Sequence, residues 1–576
     1  MWRSPRSLVL PALATALALA ILAPLLPRGF VLVYDMSFVP RQAFLPEGLG
    51  LGTGNPRAVP ADALVSLATT VIPGDILQKL ILAALLMAGA LGAARLVPDE
   101  SLLVRATAAV AYTWNGFMAE RLLIGQWGLL VAYAALPWIV ATARELRDDP
   151  SRRSWARLVL MSAPAVITAT GGLLAAGAAI AVAGRRRLLG TTAVAVALNA
   201  PWWVPALFQG DGTSDPEAVA VFAARGESWA PPVLSVLGLG GIWNAQVVPA
   251  SREGGLFPLF TLLMLGIAGY GIWRLIRAWG APARALTALA GAGLLFAVAG
   301  SIPGLDTALG WAVTHIPGAG LLRDGQKWAA WWALLLALGY ALGAAGLAAA
   351  LRRRIRDDLG PAAIVVGALL LPIAVMPDLG WGAAGRLAPA AYPSDWQAVS
   401  ALLARDERPG DVLAAPLSAY RRFSWNGDRT QYDPALRHLP RPTVIADALK
   451  VGPVMVRGED TRAARVTAAA LRGEPLGRHG IGWVLVEHGT PGPKIPLQNL
   501  TRVYDGEWLT LYRVPGPVAA GAGWPAALRT AAAPWVLTAD LIAALLCLVS
   551  ALALLLPCGK LTGPRPTGAD KRKPGG

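Results

Sequence analysis

Residues 328–356 read Trp328-Ala-Ala-Trp-Trp-Ala-Leu-Leu-Leu-Ala-Leu-Gly-Tyr-Ala-Leu-Gly-Ala-Ala-Gly-Leu-Ala-Ala-Ala-Leu351-Arg-Arg-Arg-Ile-Arg356. The apolar run exceeds the roughly 20 residues that cross a hydrocarbon core as a helix. It stops at a block of arginines, and short Lys/Arg-rich loops stay on the cytoplasmic side. The same punctuation recurs at Arg152, Arg153 and Arg157, at Arg185, Arg186 and Arg187, and at Lys571, Arg572 and Lys573. Assigning every cluster to the cytoplasm leaves a consistent set of loops on the other face. The two largest pieces of non-membrane sequence fall there, so the chemistry is sought there.

Composition agrees. The chain has 576 residues, 55% hydrophobic and 15% charged, whereas a soluble domain is roughly a quarter charged. Its formal charge of +16 does not point to nucleic acid, because the arginines sit at helix ends where topology requires them and no basic stripe carries interleaved aromatics. The two cysteines, Cys547 and Cys558, lie in or beside the last apolar segment, so the extracytoplasmic parts have no disulfide framework. The start, with Arg3 and Arg6 before Leu8–Leu26, has the charge pattern of a signal peptide. The run is long for one and no clear cleavage site follows, so it reads as a retained helix.

Working outward, helices are expected at about 8–27, 76–97, 101–115, 122–143, 188–207, 256–273, 285–302, 329–350 and 361–378. Segment 158–183 lies between two basic clusters, which a single straight helix cannot join. It is expected to break into two short helices near Gly171, as is tolerated where a helix lines a cavity. A multi-span membrane domain therefore covers 1–380, with outer loops at 28–75, 208–255 and 303–328. Residues 385–515 lose any membrane-length apolar run. There β-type strings such as Asp411-Val412-Leu413 and Trp483-Val484-Leu485-Val486 alternate with helical patterns at about 395–405 and 460–472, which predicts a small α/β domain. A last helix at 534–556 returns the chain to a Gly-, Pro- and Lys-rich tail, 557–576, of disordered composition. The expected fold is a polytopic α-helical membrane protein of about twelve spans in the cell inner (plasma) membrane, both termini cytoplasmic and the α/β domain outside.

Asp35 is the first candidate for chemistry. It follows helix one, between Val31-Leu32-Val33-Tyr34 and Ser37-Phe38-Val39. A carboxylate in apolar surroundings is costly unless paired or solvated, and a buried one is suited to proton transfer. The plainer alternative is an interfacial Asp that turns the chain. Glu120 and Arg121, between helices three and four, and Arg323, Asp324, Gln326 and Lys327, before helix ten, leave two readings open in the same way. They are either helix-end pairs or an anion site, since Arg matches phosphate geometry bidentately. In the α/β domain, Tyr420, Trp425 and Asn426 combine aromatic faces with polar groups, as a glycan contact would. The four histidines lack zinc-site spacing. No metal is expected from spacing; a divalent cation on carboxylates is compatible with a phosphate donor.

An outer loop after the first helix, with an acidic residue close to the membrane, resembles the GT-C glycosyltransferases. Two segments extend the likeness. Asn115-Gly116-Phe117-Met118-Ala119-Glu120-Arg121-Leu122-Leu123-Ile124-Gly125-Gln126-Trp127 looks like a segment of actinobacterial GT-C-like membrane proteins. Leu321-Leu322-Arg323-Asp324-Gly325-Gln326-Lys327-Trp328 looks like an Arg-Asp/Glu-x-x-Lys segment of the same group. That group is similar to the α-1,3-arabinofuranosyltransferases of the mycobacterial cell wall. The resemblance covers roughly 1–380 and implies a GT-C-like fold. It also implies a polyprenyl-phosphate sugar donor, a cell-envelope glycan acceptor, Asp35 as catalytic base, and Arg121, Arg323 and Lys327 on the donor phosphate, supported by Glu120, Asp324 and Gln326. The pattern often has an adjacent acidic pair; here the next acids after Asp35 are Glu47 and Asp62. Two rivals remain, a non-catalytic GT-C-like envelope scaffold and a lipid or sugar transporter. The transporter would need polar groups at mid-membrane depth, and the expected spans offer few.

Overall fold

The computed structural model describes residues 5–54, 56, 58–209, 214–355 and 358–556. Arg356, the basic group Lys571–Lys573 and the tail 557–576 lie outside them. Six helices among the described residues are long and apolar enough to cross a membrane: Gly74–Leu96, Trp127–Asp148, Phe257–Trp279, Ala281–Ala299, Gly325–Arg352 and Ala533–Leu555. A seventh is Leu359–Val375 taken with Pro377–Ala384, bent by 61°. Val9–Leu25 and Ala169–Ala183 are apolar but shorter. The expected total of about twelve also counted segments such as Leu102–Thr113; at 12 residues and ~1.5 Å per residue that helix falls short of a ~30 Å core.

The segment between the first two arginine clusters does break. Arg152–Ser162 continues as a 3₁₀ turn, Ala163–Ile167. Thr168 then caps Ala169–Ala183, its hydroxyl accepting the Gly171 amide. The break falls three residues before Gly171, where Thr168 offers the backbone a local partner. The helix Ala330–Arg352 is the hub of the bundle. It is buried along most of its length and crosses Phe257–Trp279 so closely that a Cβ on Gly271 would lie 1.7 Å from the Gly339 carbonyl oxygen, a small-residue contact suited to membrane helices. Helix directions place Arg147, Arg185–Arg187, Arg277 and Arg352 at one end of the bundle. The loops that build the site occupy the other.

Residues 389–513 form an α/β unit. Its five-stranded sheet runs Thr501–Asp505, Leu509–Arg513, Ile481–Glu487, Asp411–Ala415, Thr443–Val444. The first two pairings are antiparallel and the last two parallel. Strand alternation splits the core in two. Val412, Ala414, Trp483 and Leu485 pack with Trp396, Val399 and Leu403 of helix Ser394–Arg405. Leu413, Ala415, Ile481 and Val484 pack with Ala463, Val466 and Ala470 of helix Thr461–Leu471. A two-residue pairing, Phe30–Val31 with Pro389–Ala390, ties this unit to the loop after the first helix.

Candidate functional site

The loop carrying Asp35 is fixed from three sides. Below it, Gln78 of helix Gly74–Leu96 accepts the Val31 amide at 2.9 Å and donates to the Val31 carbonyl at 2.7 Å. Beside it, the Asp35 amide donates to the Ile124 carbonyl at 3.2 Å. From the α/β unit, the Tyr34 amide donates to the Thr430 carbonyl at 2.6 Å, and the Tyr432 amide donates to the Tyr34 carbonyl at 2.7 Å. Tyr34 has φ +40°, a backbone state that a non-glycine residue keeps only when its surroundings hold it there.

The expected turn falls at 116–121, between the helices at 101–115 and 122–143; the structure has a short buried helix at 116–123 instead. It forms because the Asn115 side chain caps it by accepting the Met118 amide at 3.0 Å. The helix ends at Gly125, φ +75°, where a Cβ would lie 2.3 Å from the Val33 carbonyl oxygen. Only glycine lets this corner close on the Asp35 loop. The helix sends consecutive side chains opposite ways. Arg121, 1% exposed, donates to Gln126 Oε1 at 2.9 Å and faces Asp324 Oδ2 at 3.6 Å. Glu120 turns to Arg252, which Glu227 holds at 2.5 Å. Burial and the neighbouring Glu227 carboxylate push the Glu120 carboxyl well up, so that it is the protonated partner.

Gln126 joins the pieces. Its Nε2 approaches Asp35 Oδ2 at 3.5 Å while its Oε1 accepts from Arg121. On the far side of Arg121, Asp324 Oδ2 pairs with Lys327 Nζ at 3.0 Å. Burial acts to raise the Asp324 carboxyl, but Lys327 and Arg121 prevail and hold it below the ordinary carboxylate range. Three segments far apart in sequence thus form one chain of polar contacts: Asp35, Gln126, Arg121, Asp324, Lys327.

This chain borders a cavity of about 1120 Å³ lined by Asp35, Gln126, Arg323, Asp324, Lys327 and Tyr420, among others. Trp127, Trp202 and Trp203 give it an apolar flank, and Glu47, Asp447, Glu459 and Asp460 also line it. Tyr420 donates its hydroxyl to Asp35 Oδ1 at 2.6 Å. Arg323 is ion-paired with Glu459. Arg437 joins Asp62 Oδ1 at 3.0 Å, so the α/β unit grips the first loop at both ends. Glu47 faces the cavity yet is crowded by protein atoms, and that loss of solvation lifts its carboxyl to about 7. Among the described residues no group of three His, Cys, Asp or Glu side chains is arranged to hold a metal ion.

Several expected site residues lie elsewhere. Trp425 and Asn426 do not line the cavity. Trp425 packs between Phe423 and Tyr392. Asn426 is fully buried and donates to the Leu32 carbonyl at 3.0 Å, so it staples the hairpin to the first loop instead of touching a glycan. Gln326 is also buried, donating to the Phe222 carbonyl at 2.9 Å. Arg121 and Glu120 sit behind the cavity wall, because the helix that carries them is buried on every side. Gln126, Glu459, Arg437 and Asp62 were not singled out. Gln126 lies five residues after Arg121 on the same segment, and nothing local marks the other three.

No family model matches this chain, and no curated protein matches it. Among solved structures it is similar to the oligosaccharyltransferase AglB of Archaeoglobus fulgidus in complex with an inhibitory peptide and a dolichol-phosphate, at 11% identity over 84% of this chain and 70% of that one, TM-score 0.42. It is also similar to apo ArnT of Cupriavidus metallidurans, at 14% identity over 88% of this chain and 99% of that one, TM-score 0.40.

Proposed function

We propose that this protein is a membrane glycosyltransferase that moves a sugar from a polyprenyl-phosphate donor to a cell-envelope glycan or lipid on the outer membrane face. The observation that carries the reading is the convergence of Asp35, Lys327 and Arg323 on one cavity at the helix ends away from the arginine clusters. A lipid phosphate needs cations near the bilayer surface, and a sugar acceptor needs a base beside them. In the step envisaged, Asp35 takes the proton of an acceptor hydroxyl, whose oxygen forms the new bond to the anomeric carbon. The bond from that carbon to the phosphate oxygen breaks, and the electron pair leaves with the lipid phosphate. Lys327 and Arg323 stabilise the charge that grows there. Arg323 must then exchange Glu459 for the phosphate. Arg121 acts from behind, holding Asp324 and Gln126 in place.

The test is transfer of radiolabelled sugar from a synthetic polyprenyl-phosphate donor by the full-length protein in nanodiscs. Asp35→Asn is expected to lower turnover by roughly a thousandfold or more while the fold is kept, since it removes the base and not the packing. An Asp35→Asn protein that turns over like the parent rules the reading out.

A further inference from the structure

The α/β unit does more than cover the cavity. Its hairpin, Tyr420–Arg422 paired with Thr430–Tyr432, places Tyr420 opposite Tyr432. The Tyr420 ring is wedged edge-to-face against Tyr34 on one side and Tyr432 on the other, at centroid distances of 6.2 and 5.5 Å. So held, its hydroxyl reaches Asp35 Oδ1 at 2.6 Å, shorter than the 3.5 Å contact of Gln126 with Oδ2. The same hairpin supplies Thr430 and Tyr432, whose backbones hold Tyr34 in its left-handed conformation one residue before Asp35. Behind it the fully buried Arg421 joins Asp433 at 2.7 Å and Glu487 at 2.5 Å, fixing the strand from which Tyr420 projects.

Resting on the transferase reading, we propose that Tyr420 is a positioning residue of the transfer site: its phenol holds Oδ1 of Asp35, leaving Oδ2 to accept the proton of the acceptor hydroxyl, so that the centre is assembled from the membrane domain and the α/β unit together. A carboxylate with one oxygen committed to a fixed donor presents the other in one direction. Without the phenol the carboxylate rotates among orientations, of which few are productive. The loss falls on the transition state and not on ground-state binding, so kcat falls and KM does not.

The experiment measures kinetics of full-length protein with a panel of synthetic polyprenyl-phosphate pentoses and hexoses and cell-envelope oligosaccharide acceptors. Tyr420→Phe is expected to lower kcat roughly ten- to a hundredfold, the range for a hydrogen bond to a charged group. Both KM values and the melting temperature should stay as in the parent. Thr490→Ala, which removes a hydroxyl that accepts the Arg422 amide on the same hairpin but lies outside the cavity, is expected to keep kcat. A raised acceptor KM with kcat intact in Tyr420→Phe makes Tyr420 a glycan contact and overturns the inference. So do unchanged kinetics, or an equal kcat loss in Thr490→Ala. Turnover retained by Asp35→Asn, or absent from the parent, instead defeats the transferase reading on which the inference rests.

Discussion

Two regions handle charge in opposite ways. In the α/β unit Arg421 sits between Asp433 and Glu487, all three side chains fully buried. Behind the cavity wall Arg252 joins Glu227 in the same way, with Glu120 at 3.7 Å. In both, a carboxyl is pushed well up by burial and an adjacent carboxylate, so that one proton is shared and the cluster stays near neutral. The corner at Asp35, Asp324 and Lys327 is different. Lys327 lines the cavity with its side chain 24% exposed, and among the described residues its one ion-pair partner is Asp324. Sealed clusters hold walls together. The open corner keeps bonding capacity for a ligand.

The sharpest way to break this contrast is to remove the centre of a sealed cluster. Arg421→Met leaves two dry carboxyls and is expected to cost about 3–5 kcal/mol of stability in denaturant melts; Arg323→Met, whose pair with Glu459 is partly solvated, should cost under about 1 kcal/mol. Equal losses would erase the distinction. Next comes His438, whose ring burial between Tyr392 and Trp396 depresses to about 4. Unfolded chain binds that proton more readily, so stability should fall as pH drops from about 6.5 to about 4, by roughly 3 kcal/mol in all; His438→Gln should flatten that limb of the pH–melting curve. Lys327→Ala should lower kcat/KM for the donor about tenfold, about 1.4 kcal/mol, and leave the melting temperature almost unmoved. The smallest effect belongs to Glu47, because its side chain is exposed to the cavity and solvent screens most of what the shift would contribute. Because its folded carboxyl titrates near 7, the folded protein holds the proton through the range where the unfolded chain loses it, and stability declines as pH rises to about 7. Glu47→Gln should remove that decline, gaining on the parent at pH 8 and matching it below pH 5.

The sequence revealed what depends on local pattern. Apolar length gave the helix at 330–352 to within two residues at its end, and the strings at 411–413 and 483–486 lie in paired strands. The Thr168 break was legible from conflicting arginine clusters. What escaped was direction. Glu120 and Arg121 are neighbours, yet one faces Arg252 and the other Asp324, because a helix turns its side chains by about 100° per residue. Tyr420, Trp425 and Asn426 looked alike as polar-aromatic surface. Hairpin register puts the first on Asp35 and buries the third against Leu32. The pairs Arg323–Glu459 and Arg437–Asp62 join residues over a hundred positions apart, and one sequence carries no mark of such contacts.

The most direct measurement is a structure of the full-length protein in nanodiscs with a synthetic polyprenyl-phosphate sugar bound. The account expects the phosphate within hydrogen-bond distance of Lys327 and Arg323, Glu459 released from Arg323, and the sugar facing Asp35. A headgroup bound outside this cavity, or a cavity left empty with Arg323 still on Glu459, would contradict it.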